Sequence, residues 1–82
     1  MHKCYPCPCC GFLTISEPPP GTYEICPICN WEDDIVQYNN IDFQGGANEE
    51  SLNKARQNFK KFKASSLKFI KQVRSPWPNE IP

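Results

Sequence analysis

Short apolar runs alternate with turn-forming residues in the first half of the chain, and a longer helical stripe occupies the second. Phe12-Leu13-Thr14-Ile15 and Thr22-Tyr23-Glu24-Ile25 are β-prone runs separated by Ser16-Glu17-Pro18-Pro19-Pro20-Gly21. Proline fixes φ near about −65° and glycine accepts positive φ, so Pro20-Gly21 suits the central positions of a type II turn. The pattern predicts a β-hairpin formed by these two runs. Ile35-Val36-Gln37-Tyr38, ended by Asn39-Asn40, predicts a third strand. Three short strands cannot cover a core alone, so helices must pack on them.

The helices come from the C-terminal third. Leu52, Ala55, Phe59 and Phe62 recur at helical spacing, Asn48 suits an N-cap, and Glu49 and Glu50 place negative charge in the first turn. A helix is predicted from about 49 to 63. Ser65 or Ser66 starts a second, shorter helix carrying Leu67, Ile70 and Val73. It stops before Ser75-Pro76, because the residue before proline avoids the helical region. The expectation is therefore a small, metal-stabilised α+β fold in a single domain, 1–82. A zinc-ribbon-like hairpin or three-stranded sheet fills 5–38, one or two helices fill 48–74, and 75–82 is an irregular tail.

The metal enters through the cysteines. Cys7-Pro8-Cys9-Cys10-Gly11 and Cys26-Pro27-Ile28-Cys29-Asn30 repeat one device, a Cys-Pro-x-Cys turn followed by a residue that tolerates positive φ. The separation of the two pairs falls in the zinc-ribbon range, which points to a tetrahedral thiolate site for Zn²⁺. Cys4-Tyr5-Pro6-Cys7 is a rival pair, but it would place Pro8, locked at negative φ, where the knuckle needs positive φ. Cys7, Cys10, Cys26 and Cys29 are thus the expected ligands. Cys9 then fills the free position of the first knuckle, and Cys4 sits in a loose N-terminus.

With 82 residues an unaided core is marginal. A structural zinc contributes on the order of 10 kcal/mol of apparent binding free energy near neutral pH, most of it expressed as folding. Six cysteines would also suit a disulfide scaffold in a secreted protein, but Met1-His2-Lys3-Cys4 leads into no apolar signal segment, so a reducing cytoplasm is expected. No run is long enough for a membrane span. The net charge of zero hides a division: residues 1–50 carry eight acids and one base, and residues 51–82 carry eight bases and one acid. Such asymmetry either steers a partner or holds the two halves together.

Candidate chemistry beyond the thiols is sparse. Trp31-Glu32-Asp33-Asp34 follows the second knuckle. It reads either as an acidic recognition patch, crowded enough to raise a carboxyl pKa, or as Trp31 packed over the hairpin with an aspartate capping a turn. Gly45-Gly46-Ala47-Asn48 reads as a tight turn, since it lacks the lysine and spacing of a phosphate loop. The bases from Lys54 to Arg74 raise nucleic-acid binding as an alternative, though the interleaved Phe59 and Phe62 fit an inward stripe. A closed four-thiolate site leaves no position for water, and His2 is the sole histidine, so no catalytic constellation is evident. Redox chemistry is a further alternative: Cys9 beside a metal thiolate could be oxidised, and iron in place of zinc would make a rubredoxin-like electron carrier.

Cys7-Pro8-Cys9-Cys10-Gly11, Pro19-Pro20-Gly21-Thr22-Tyr23-Glu24-Ile25-Cys26-Pro27, Trp31-Glu32-Asp33-Asp34 and Gly45-Gly46-Ala47-Asn48 with Ser51-Leu52 resemble the bacterial cysteine-rich CPCC domain family. The resemblance spans about residues 5–74. It implies a small stand-alone bacterial protein with a zinc-ribbon-like site at the four cysteines, and no established activity. Recognition of a macromolecule is then the expected role, a protein partner before nucleic acid, by a monomer or weak oligomer. Trp31, Glu32, Asp33, Asp34 and the tail residue Trp77 are the candidate contacts.

Overall fold

Each cysteine knuckle folds back on the strand that enters it. In the computed structural model, which describes residues 4–82, Tyr5–Pro6 (β1) pairs antiparallel with Leu13–Ile15 (β2) across the first knuckle. Residues 23–26 run back along 31–33 across the second, with an isolated bridge between Ile25 and Glu32 and backbone bonds from Tyr23 N to Asp33 O and from Asp33 N to Glu24 O. The predicted pairing of residues 12–15 with 22–25 does not occur. Closing a chain over a five-residue knuckle costs little loop entropy, and Pro18, Pro19 and Pro20 have no N–H to offer a ladder between the knuckles. Gly21 does take the positive φ expected of it, +92°, in the connection.

The predicted third strand is also replaced. Ile35–Asn39 is a short helix (α1), because the Asp34 side chain accepts hydrogen bonds from the N–H groups of Val36 and Gln37. An N-cap that satisfies orphan donors outweighs the β preference of Ile35 and Val36. The side chain of Gln37 is fully buried, and its amide donates to the carbonyls of Phe43, Asn48 and Glu50 while accepting from Asn48 N and Asn48 Nδ2. This hub holds residues 43–50 in a bent, non-helical path. The next helix (α2) therefore spans Leu52–Phe62 and is capped by Ser51 rather than Asn48.

The core is built from the thiols with Ile15, Ile28, Trp31, Leu52 and Ala55, and Tyr5, Phe12 and Phe59 pack against it. α2 is tied to the first knuckle by Arg56 Nε donating to Pro8 O at 2.9 Å and by an edge-to-face contact between Phe12 and Phe59. Asn58, which the apolar stripe did not reveal, is buried on the same helix and donates to Ser65 O. The second knuckle is held from behind, with Ser65 N donating to Cys29 O and Arg74 N to Pro27 O.

After α2 the chain forms a 3₁₀ helix, Leu67–Gln72, with no side-chain cap. Leu67 and Ile70, carried on the predicted second helix, are 67% and 44% exposed. The predicted irregular tail is ordered: Pro78–Glu80 forms a 3₁₀ turn packed near β2, and Glu80 pairs through both oxygens with Arg74 at 2.8 Å while accepting from Trp77 N. No helix among the described residues is long and apolar enough to cross a membrane.

Candidate metal centre

Identical local hydrogen bonding shapes the two knuckles. Cys7 N donates to Phe12 O and Cys26 N to Trp31 O, five residues on in each case; Gly11 N donates to Cys7 O and Asn30 N to Cys26 O, both at 2.8 Å. Closing that last bond places Gly11 at φ +82° and Asn30 at φ +68°, the conformation glycine and asparagine tolerate best. Within each turn the N–H two residues on, Cys9 N or Ile28 N, points at the sulfur of the first cysteine at 3.4 Å.

The two turns face each other and bring the Sγ atoms of Cys7, Cys10, Cys26 and Cys29 within 4.8 Å of one another. Cys7 Sγ lies 3.6 Å from Cys29 Sγ, and Cys10 Sγ lies 3.7 Å from Cys26 Sγ. Cys7, Cys26 and Cys29 are buried and Cys10 is half-buried, so any ion held there would be closed off on nearly every side. Cys9 is buried but outside the cluster, Cys4 is exposed and apart from it, and His2 lies outside the described residues.

One donor breaks the symmetry. Thr14, on β2, donates its hydroxyl to Cys26 Sγ at 3.0 Å, and among the described residues no other hydroxyl donates to a sulfur of the cluster. The four thiols are close enough to act on one another's protons. Hydrogen bonds from Cys10 first, then Cys29 and Cys7, hold Cys26 far below the ordinary thiol range, and Thr14 adds to them against the opposing effect of burial. Cys10 and Cys29 are pushed far up in consequence, Cys10 chiefly by its bond to Cys26 and Cys29 chiefly by its bond to Cys10. A metal cation replaces those protons and removes the frustration, because thiolate is the ligand form.

The predicted recognition residues divide. Trp31 is 1% exposed and belongs to the core, and Asp33 and Asp34 are buried, so these three present no acidic surface. Glu32 is half-buried, and its backbone is clamped by Asn48. Trp77 is 58% exposed, with the Arg74 guanidinium 3.7 Å from its ring centroid. Asp33 Oδ2 accepts from Thr22 N and Thr22 Oγ1, while its buried Oδ1 has no hydrogen-bond partner among the described residues. Asp34 corrects the expected rise in carboxyl pKa. Burial alone would push it up, but the N–H groups of Ala47, Gln37 and Val36 together hold it below its ordinary value.

These contacts also explain the glycine pair. Asp34 Oδ2 accepts from Ala47 N, and a Cβ on Gly46 would stand 2.8 Å from Asp34 Oδ2 and 2.9 Å from the Gln37 amide carbon. Trp31-Glu32-Asp33-Asp34 and Gly45-Gly46-Ala47-Asn48 are thus two halves of one brace behind the second knuckle. Their pairing was hidden in the sequence, although both stood out there as motifs.

The fold and site together define a small α+β domain organised around a buried four-cysteine cluster able to bind a metal ion. The chain belongs to the cysteine-rich CPCC family, whose model matches residues 5–80. The match extends through Glu80, the residue that locks the tail. No curated protein matches the chain.

Proposed function

We propose that this chain is a zinc-ribbon-like recognition module, in which one structural Zn²⁺ on Cys7, Cys10, Cys26 and Cys29 supports folding and the finished surface binds a protein partner. The four-sulfur cluster carries this reading. A tetrahedron with Zn–S distances of about 2.3 Å has edges of about 3.8 Å, close to the 3.6 and 3.7 Å separations of the two cross-knuckle pairs. An all-thiolate donor set favours zinc over magnesium or calcium, and four protein ligands leave no coordination position for a reacting water. The zinc would neutralise the thiolates and fix both knuckles, while Thr14, Cys9 N and Ile28 N would hydrogen-bond to the sulfurs around it. Free thiols at all six cysteines suit a reducing bacterial cytoplasm.

A second reading, nucleic-acid binding, draws support from Lys54, Lys60, Lys61, Lys63 and Lys71, which have no acidic partner among the described residues. Steep loss of binding with salt would mark it, because phosphate contacts release counterions. An iron-loaded electron carrier would be coloured, whereas the zinc protein is colourless.

A native mass spectrum of the untagged protein, isolated gently from its own host, tests the main reading. One Zn²⁺ per chain with a stoichiometric protein companion is the expected result. A metal-free mass lighter by disulfide hydrogens contradicts the zinc reading, and a zinc-loaded chain without a companion contradicts the recognition reading.

A further inference from the structure

The basic half of the molecule carries an apolar groove that the fold leaves open. Its floor is Phe12, Ile28, Phe59 and Phe62, and its far wall is Ile70 and Val73 on the 3₁₀ helix and the extended segment after it; the volume is about 350 Å³. Phe62 also lines a neighbouring cavity bordered by Lys54, Lys61, Leu67 and Lys68, with Glu50 at its rim. Side chains three residues apart eclipse in a 3₁₀ helix, so Leu67 and Ile70 form one exposed apolar edge above this surface. Exposed apolar residues gathered beside a groove mark an interaction surface more often than a packing accident.

Charge says what fits there. Lys63 stands at the groove with its ammonium over the Phe59 ring, and Lys54 and Lys61 stand at the cavity, none with an acidic partner among the described residues. Arg74 is already committed to Glu80, and Lys68 to Glu49. The division of charge along the sequence therefore does little to hold the halves together, since among the described residues only the Lys68–Glu49 pair joins them. The remaining cations are available to something else. Phe59 and Phe62 are half-buried and form the groove's floor, an arrangement suited to an inserted aliphatic or aromatic anchor more than to stacking of exposed bases.

We infer that this surface docks an acidic, amphipathic peptide segment of a partner protein, one apolar side chain entering the groove beside Ile70 while carboxylates lie along Lys54, Lys61 and Lys63. This rests on the recognition reading above and assigns it a face. That face lies opposite in charge to the Trp31–Asp34 segment first considered for the role. Arg74, Ser75 and Pro76 close the groove on the tail side.

The test is an amide NMR titration of the zinc-loaded chain with a short synthetic peptide of glutamates around a Leu-x-x-Phe anchor, and with its counterpart bearing lysine for glutamate. The acidic peptide is expected to shift the amides of Phe62, Lys63 and residues 67–73, and the lysine peptide to leave them unmoved. Ile70→Asp and Leu67→Asp alter side chains already exposed to solvent, so each variant should keep its amide dispersion while binding weakens about tenfold, the size of one lost anchor. Equal response to both peptides, or shifts elsewhere, overturns the inference. So does oligodeoxythymidine moving the same amides at lower concentration, and so does concentration-dependent broadening without peptide, which would place a second copy in the groove. If the native companion is retained undiminished by both variants, this face is wrong while the recognition reading stands.

Discussion

Cys26 is the sulfur on which the centre is biased, since among the described residues it alone accepts a side-chain hydroxyl as well as a backbone N–H. Thr14→Val removes the hydroxyl while keeping shape. The expected effect is a loss of about tenfold in zinc affinity, typical of a lost outer partner of a metal ligand, with Thr14→Ser restoring it. Competition against a chelator of known affinity measures both. Asp34 yields a pH signature. Its carboxyl is held below its ordinary value of 3.8, so the stability it adds is fully present above that value and is lost as pH falls through the lowered folded value. Asp34→Asn should therefore cost about 1–2 kcal/mol near neutral pH, because it removes the charge from a carboxylate that accepts from three N–H groups, and the deficit should vanish in acid. Urea midpoints of both proteins across pH test this, the thiolate contribution being common to the two. At this scale the four cysteines, Gly11 and Asn30 were legible because a knuckle is local, its bonds closing within five residues. Thr14 on Cys26 was not, because the partners are twelve residues apart and meet only once both knuckles have folded.

Between elements, the brace from residues 31–34 to 45–48 decides where helices begin. Gly46 is required by space, so Gly46→Ala should destabilise by about 2 kcal/mol through overpacking against Asp34 and Gln37; thermal and urea unfolding of the zinc-loaded protein would report it. The tail is a second lock. Glu80 sits lower in pKa than an ordinary glutamate, chiefly through its bonds to Arg74, and Arg74 is raised in turn. Glu80→Gln should free residues 75–82 to limited proteolysis while leaving the knuckles intact, whereas an unchanged digestion pattern would deny the lock. The sequence-based errors share one cause. Residues 35–38 and 49–51 were assigned from their own preferences, yet Asp34 capping and the Gln37 hub impose a helix on the first and forbid one on the second. The helix over Leu52–Phe62 was legible because its stripe spans several turns. Leu67, Ile70 and Val73 carried the same spacing, but they fall on a 3₁₀ helix and its cap, which leave Leu67 and Ile70 exposed and Val73 half-buried at the groove.

The whole molecule has a core of few large side chains, Trp31, Ile15, Ile28 and Leu52, gathered against the four sulfurs. Such a core is marginal in a chain of this length, and the proposed structural zinc is what would make it fold. The deciding measurement is the amide NMR spectrum of the reduced chain, recorded after chelation and again with one equivalent of Zn²⁺. A collapsed spectrum that regains full dispersion at one zinc per chain is the predicted result. Full dispersion without metal, unchanged when zinc is added, would contradict it.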